Sequence, residues 1–150
     1  MDAIAQKKYD QIIGKLKKDG IRVTNIRSEV IKAIITTDHP TINDIIKIVE
    51  KTSANTNVMS VYNTLNLLLE KHLLFANTFN GKQIVYEIQD VKSVHLKCDS
   101  CLAIQHLDDQ ELQVIDESRL KQLAQNHQMT FDHFKIEIHG LCQKCYQKAT

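Results

Sequence analysis

The sequence predicts an α+β protein, with helices in its first half and short strands beside two cysteine pairs in its second half. Three observations support this class. Apolar residues recur at helical spacing in four successive segments before Lys71. Residues typical of strands flank Asn80-Gly81, a dipeptide that favours a two-residue β-hairpin. The chain has four cysteines, arranged as two Cys-x-x-Cys pairs with forty residues between the pairs.

Composition and charge suggest a division into two domains. The chain has 150 residues, 43% hydrophobic and 25% charged, as in an ordinary globular protein with one core or two small ones. Residues 1–82 contain twelve Lys/Arg against eight Asp/Glu, a charge of +4, and residues 83–150 contain seven against ten, a charge of −3. A basic half suits a polyanion and an acidic half suits cations, although ordinary variation of surface charge is the alternative.

The first two predicted helices are recognised by their ends. An amphipathic stretch from Ile4 to Leu16 stops before Gly20, the residue type that often follows a helix C-terminus. Thr24 is a suitable N-cap for a second helix. The apolar residues of this second helix recur at helical spacing: Ile26, Val30, Ile31, Ile34 and Ile35.

The third and fourth predicted helices also begin at capping residues. Thr41 and Asp44 resemble a capping box in which Asp replaces the usual Glu. Asn57 is a suitable N-cap for a fourth helix that runs from Val58 to about Lys71. We expect its inward positions to be Val61, Leu65, Leu68 and Leu69, and its outward positions to be Ser60, Asn63, Thr64 and Asn66.

Two strands are predicted after the fourth helix, Leu73 to Phe79 and Lys82 to Ile88, joined by the Asn80-Gly81 turn. Three helices followed by a hairpin describe a winged helix. In such a domain the helix before the hairpin enters the major groove, where its polar face contacts bases while nearby Lys and Arg contact phosphates. The alternative is a polar face that is only solvated, but the hairpin directly after the helix favours DNA.

The spacing of Cys98, Cys101, Cys142 and Cys145 is typical of a tetrahedral zinc site. A closed shell of four thiolates has no open position for catalysis, so we interpret the site as structural. We see no leftover cysteine, signal peptide or membrane span, and therefore expect a reducing cytoplasm without disulfides. The competing interpretations are a redox pair, which would open a helix and need no second pair, and plain buried cysteines.

The second half otherwise predicts one helix and one strand. The segment from Asp108 to about Asn126 has apolar residues at near-helical spacing, and Met129 to Ile138 alternates as a strand does. Because a sheet this short needs a partner, we expect a homodimer. Its two-fold axis would align two recognition helices with the halves of a palindromic operator.

Six short motifs occur in order along the chain: Ile21-Arg22-Val23-Thr24-Asn25-Ile26-Arg27, His39-Pro40-Thr41, Ser60-Val61-Tyr62-Asn63-Thr64-Leu65, Val85-Tyr86-Glu87, His95-Leu96-Lys97-Cys98-Asp99-Ser100-Cys101 and His139-Gly140-Leu141-Cys142-Gln143-Lys144-Cys145. In order and spacing they resemble the ferric uptake regulator family over nearly the whole chain. The resemblance implies a winged-helix DNA-binding domain, an α/β dimerisation domain, and a divalent regulatory metal between them that sets their angle for operator binding. It implies a repressor without catalytic turnover.

The resemblance also assigns DNA-contacting residues. The recognition-helix positions fall on Ser60, Tyr62 and Asn63, with the tyrosine suited to a thymine methyl and the asparagine to an adenine edge. Asn57, at the start of the same helix, joins this set. Arg22 matches the family arginine that reaches toward the minor groove. Peroxide-responsive members commonly have asparagine at the position of Asn63, whereas iron-uptake members tend to have arginine, so this residue favours the peroxide-responsive branch.

For metals, the resemblance implies one structural zinc per chain at the four cysteines and a second divalent ion at a regulatory site. His39, Glu87 and His95 match family ligands, whereas Ser93 replaces a histidine and His106 replaces an Asp or Glu. We expect the regulatory ligands to be His39, Glu87, His95 and His106, binding Fe²⁺ or Mn²⁺, with Zn²⁺ as the alternative. With Fe²⁺, peroxide could oxidise His39, but Ser93 stands where the second oxidisable histidine would be.

Other interpretations of these residues stay open. His39 could be an exposed loop residue, His95 a hydrogen-bond donor to a cysteine sulfur, and Glu87 an ordinary strand carboxylate. His133 aligns with a ligand of an extra site in some members, whose partners are replaced here by Lys92 and Val94. The alternative functions are a zinc-stabilised protein-interaction module and a cysteine-based redox protein. A hydrolytic enzyme fits poorly because no general base accompanies a nucleophile motif.

Overall fold

The computed structural model describes residues 1–78, 82–88 and 92–149. The chain divides into two compact units, Met1–Gln89 and Asp90–Thr150. Within the described ranges, no helix has both the length and the apolar character that a membrane crossing requires. The described elements of the first unit are α1 (Ala3–Lys18), α2 (Asn25–Thr36), α3 (Ile42–Thr52), α4 (Val58–Glu70), β1 (Leu74–Asn77) and β2 (Val85–Ile88).

The C-terminus of α1 shows how local chemistry ends a helix. Gly20 has a φ of 72°, in the left-handed region that glycine adopts without strain. Its N–H donates to the carbonyl of Lys17 over 3.0 Å, and the N–H of Ile21 donates to the carbonyl of Leu16 over 2.9 Å. These two bonds form a Schellman motif, so the predicted role of Gly20 is confirmed.

The predicted N-caps of α2, α3 and α4 are confirmed. Thr24 Oγ1 accepts from the N–H of Arg27 over 3.2 Å. Thr41 and Asp44 cap each other: Thr41 Oγ1 accepts from the N–H of Asp44 over 3.3 Å, and Asp44 Oδ2 accepts from the N–H of Thr41 over 2.9 Å. Asn57 Oδ1 accepts from the N–H of Met59 over 2.9 Å. Each cap satisfies donors that the first helical turn leaves open.

The core of the first unit is formed by the apolar faces of its helices. Its most buried members, each no more than 1% exposed, are Leu16, Val30, Ile31, Ala33, Ile45, Val49, Val61, Leu65 and Leu68. Thr64 was predicted to face outward, but it is only 2% exposed. Because it lies one turn after Val61 on the same face of α4, it is drawn into the core. Its hydroxyl donates to the carbonyl of Ser60 over 2.8 Å, which satisfies the buried group.

Strands β1 and β2 form an antiparallel pair in which Leu74 lies opposite Ile88 and Asn77 lies opposite Val85. Both strands are shorter than predicted, and the predicted Asn80-Gly81 turn, with Phe79 before it, lies outside the described residues. The N–H of Tyr86 also donates to the carbonyl of Pro40 over 2.9 Å, which ties β2 to the segment before α3. Together α2, α3, α4 and this strand pair form a winged helix. Because β2 pairs with β1, it belongs to the first unit, whereas the charge pattern placed the division after residue 82.

The second unit contains a three-stranded sheet in the order β4-β3-β5. Strand β3 is antiparallel to β4 and parallel to β5. The described elements of this unit are β3 (Lys92–Cys98), β4 (Ile104–His106), a 3₁₀ turn (Glu111–Val114), α5 (Glu117–Asn126), β5 (Phe134–Gly140) and α6 (Gln143–Ala149).

Two sequence predictions for this unit need correction. The helix expected from Asp108 to Asn126 is interrupted, because Asp116 caps α5 by accepting from the N–H of Arg119 over 3.3 Å. The strand expected to start at Met129 starts later. The N–H of Met129 instead donates to the carbonyl of Ala124 over 2.9 Å and completes the C-terminus of α5.

Candidate metal centres and nucleic-acid interface

The four cysteines predicted to bind zinc come together in the second unit. Their four sulfur atoms all lie within 4.8 Å of one another, and all four are free thiols. The Sγ atoms of Cys101 and Cys142 are 3.8 Å apart. A tetrahedral ion with Zn–S bonds of about 2.3 Å places its sulfur atoms about 3.8 Å from each other, so this spacing fits zinc.

The sheet explains why two cysteine pairs so distant in sequence meet. Strands β3 and β5 are parallel, and Cys98 lies opposite Gly140. The cysteine loops that follow the two strands therefore begin at the same end of the sheet. Cys98 ends β3, and Cys142 follows β5. The N–H of Cys142 donates to Cys98 Sγ over 3.3 Å. This bond, followed by one from the N–H of Cys101, lowers the pKa of the Cys98 thiol to about 6. A thiolate at neutral pH is the form that binds zinc.

In the first unit, His39 and Glu87 lie close together. His39 Nε2 is 3.9 Å from Glu87 Oε2, and His39 Nδ1 is 2.7 Å from Asp38 Oδ1. A hydrogen bond from Nδ1 to Asp38 leaves Nε2 as the nitrogen that can bind a metal, an arrangement common around metal-binding histidines. The bond between Tyr86 and Pro40 aligns the two segments, because each of these residues is the sequence neighbour of one candidate ligand.

In the second unit, His95 and His106 form the other candidate pair. They lie directly opposite each other on β3 and β4, with ring centroids 4.6 Å apart. His95 is only 1% exposed, and Ser93 Oγ lies 3.4 Å from its Nδ1 atom. Ser93 and His95 share one face of β3 because they are two residues apart on a strand. Each pair thus presents donors suited to a first-row divalent ion within its own unit.

The predicted DNA-contacting residues lie in the first unit, and most of them are exposed. Tyr62 is 43% exposed, Asn63 is exposed and Ser60 is half-buried, all on α4. Asn57 is the exposed N-cap of this helix. Its side-chain oxygen accepts a hydrogen bond from the N–H of Met59. Arg22 is exposed in the segment between α1 and α2.

Three contacts of candidate residues were not predicted from the sequence. Asp38 contacts His39. The one feature of the sequence that could have indicated this contact is that Asp38 directly precedes the histidine. Asp99 contacts His139 over 2.9 Å, and no local pattern indicates this contact, because it joins residues forty positions apart. His133 Nδ1 lies 2.6 Å from Asp132 Oδ2, and its role as an extra metal ligand stays a prediction.

A winged helix whose α4 has an exposed polar face, together with a site of four thiols, is typical of metal-binding regulators that bind DNA. Residues 18–139 match the ferric uptake regulator family, and the chain belongs to that family. The family predicted from the sequence motifs is therefore confirmed.

Individual relatives agree with this assignment. The peroxide-responsive repressor PerR of Staphylococcus aureus (strain Mu50 / ATCC 700699) is 27% identical over 142 residues, covering 93% of this chain and 92% of that protein. The ferric uptake regulator Fur of Helicobacter pylori, whose structure is described as revealing three functional metal binding sites, aligns with a TM-score of 0.60 and 21% identity over 95% of this chain and 93% of its own. A zinc uptake regulator complexed with zinc and DNA aligns with a TM-score of 0.59 and 21% identity over 99% of both chains.

Proposed function

We propose that this chain is a metal-dependent transcriptional repressor that binds a palindromic operator as a homodimer. The observation that carries the proposal is the His39–Glu87 pair, because it places two candidate metal ligands inside the winged-helix unit itself. A metal bound there and also held by His95 and His106 would tie the DNA-binding unit to the second unit. Metal occupancy would then control how the two recognition helices of a dimer meet DNA.

The four cysteines serve a structural role in this proposal. Zinc at Cys98, Cys101, Cys142 and Cys145 would hold the ends of β3 and β5 together, with one ion per chain. Four thiols need a reducing environment to stay available for zinc, which fits a cytoplasmic protein. The closed shell supplies no position for a reacting molecule, so the proposal includes no catalytic turnover.

Dimer formation is assigned to the second unit. Several of its apolar side chains are exposed in the single chain, including Val114 at 78%, Leu123 at 56% and Ile138 at 49%. In the proposed dimer these side chains would lie against the partner subunit, where their apolar surface leaves water. A two-fold axis would extend the short sheet and would set the spacing of the two recognition helices.

The regulatory metal is proposed to be Fe²⁺ or Mn²⁺, with Zn²⁺ as the alternative, because the donors are imidazole nitrogens and one carboxylate. The similarity to a peroxide-responsive repressor supports a role in peroxide response, in which iron would make His39 the oxidised residue. Ser93 occupies the position at which the family has its second oxidisable histidine. By linkage, operator DNA must tighten metal binding by the same factor by which metal tightens operator binding.

The test uses full-length protein purified without oxygen. Its metal content is measured, and sequence-specific duplexes are selected from a random pool with Fe²⁺, Mn²⁺ or Zn²⁺ present. We expect about one tightly held zinc per chain and a selected palindrome that binds more tightly with one of the three ions. If no duplex is selected with any metal, the interaction-module alternative is favoured. If the protein is free of zinc and its cysteines form a reversible disulfide, the redox alternative is favoured.

A further inference from the structure

His139 makes two contacts with carboxylates beside the cysteine cluster. Its Nδ1 atom lies 2.9 Å from Asp99 Oδ1, and its Nε2 atom lies 3.3 Å from Glu137 Oε2. Glu137 Oε1 in turn lies 3.2 Å from Lys135 Nζ. Lys97 is the residue opposite His139 across the parallel β3–β5 pair.

The contact between His139 and Asp99 joins the first cysteine loop to the end of β5. Asp99 directly follows Cys98, and His139 comes three residues before Cys142. A backbone bond runs alongside, because the N–H of Asp99 donates to the carbonyl of Gly140 over 2.9 Å. The side-chain contact therefore lies where the first loop leaves β3 and where β5 leads into the second loop.

Both ring nitrogens of His139 lie within hydrogen-bond distance of carboxylate oxygens. Asp99, and then Glu137, raise the pKa of His139, which favours the imidazolium. Since each nitrogen has its own carboxylate, the ring is held at both ends and cannot rotate away without losing a charge-assisted bond.

We propose that His139 and Asp99 form a clasp that ties the first cysteine loop to the end of β5, where the second cysteine loop begins, and so preorganises the four thiols for zinc. The inference rests on the assignment of zinc to these cysteines in the proposed function. Without the clasp, the loops would sample more arrangements in which the sulfur atoms are too far apart to share one ion. The clasp should therefore slow zinc release, with Glu137 keeping the ring in position.

The experiment follows zinc transfer from the full-length zinc-loaded protein to a chromogenic chelator. Because both side chains are about half exposed, we expect His139→Gln and Asp99→Asn each to release zinc roughly fivefold faster. The double variant should be no faster than either single variant, because both remove the same contact. Arg119→Gln is the control. It breaks an exposed pair with Asp116 at the start of α5 and should release zinc at the wild-type rate.

His139→Arg separates the clasp from a packing role, because arginine can donate to both carboxylates but differs in shape from histidine. We expect it to release zinc nearly as slowly as the wild type. Wild-type release from both single variants, or additive effects in the double variant, would overturn the clasp. Absence of zinc from the wild-type protein would instead contradict the zinc assignment, so the two failures are distinguishable.

Discussion

His39 and Glu87 lie with Nε2 and Oε2 3.9 Å apart, although they are 48 positions apart in the chain. One precedes α3 and the other lies on β2. Ligands that share a first-row metal at bond lengths of about 2.1 Å lie about 3.0 to 3.4 Å apart, so a small approach of the two side chains would let them bind one ion. This pair is the basis of the first prediction.

Replacing His39 with asparagine should abolish the metal response without unfolding the protein. His39 has a φ of 47°, a region that asparagine tolerates better than alanine, so His39→Asn removes the imidazole with little backbone strain. The variant should keep its structural zinc and dimerise, yet lose the metal-induced gain in operator affinity. Fluorescence anisotropy with and without metal measures this gain. His127→Asn, at the C-cap of α5, is the control, and a full metal response in His39→Asn would exclude His39 as a ligand.

Introducing a histidine at Ser93 tests whether the regulatory site lacks a ligand. Ser93 shares a strand face with His95, so an imidazole there should reach the same metal. We expect Ser93→His to tighten the activating metal about tenfold, which corresponds to about 1.4 kcal/mol. Competition against a fluorescent chelator measures the affinity, with Ser93→Ala as the control for loss of the hydroxyl. Unchanged or weaker binding would mean that His106 or water already completes the shell.

Base contacts and phosphate contacts should respond differently to mutation. Tyr62→Ala and Asn63→Ala should each cost about 1–3 kcal/mol on the specific operator and little on random duplex, because they remove base contacts. Arg22→Ala should weaken binding to both duplexes and flatten the salt dependence, because it removes a charge. Titrations at several salt concentrations separate the two effects. Equal losses on specific and random DNA for the α4 variants would argue against base recognition by this helix.

The capping box of α3 should make stability depend on pH. The side chain of Thr41, and then its backbone N–H, lower the pKa of Asp44. The ionised Asp44 carboxylate therefore stabilises the folded state fully at pH values above its pKa in the unfolded chain. This stabilisation is lost as the pH falls through the lower pKa of Asp44 in the folded protein. Asp44→Asn should cost about 1 kcal/mol at pH 7, and the difference from wild type should shrink in acid. Urea unfolding at several pH values measures it, with Glu50→Gln on α3 as the control. A difference independent of pH would show that the charge of Asp44 is not involved.

The features predicted correctly from the sequence depend on residues near one another in the chain. Gly20 ends α1 and Thr41 caps α3 because each acts on backbone groups within a few positions. Each Cys-x-x-Cys pair is also a local feature, because its two cysteines lie within four consecutive residues. The regulatory histidines were selected through family resemblance, because their individual surroundings in the sequence do not distinguish a ligand from a surface residue.

The sequence by itself determined the helix caps, the winged-helix order of elements and the family of this protein. Tertiary structure alone decided that Thr64 is buried and that His139 reaches Asp99. The physical reason is that caps and turns satisfy local hydrogen bonds, which a short segment specifies completely. Side-chain contacts between distant segments depend instead on strand register and helix packing, which arise only when the whole unit buries its core.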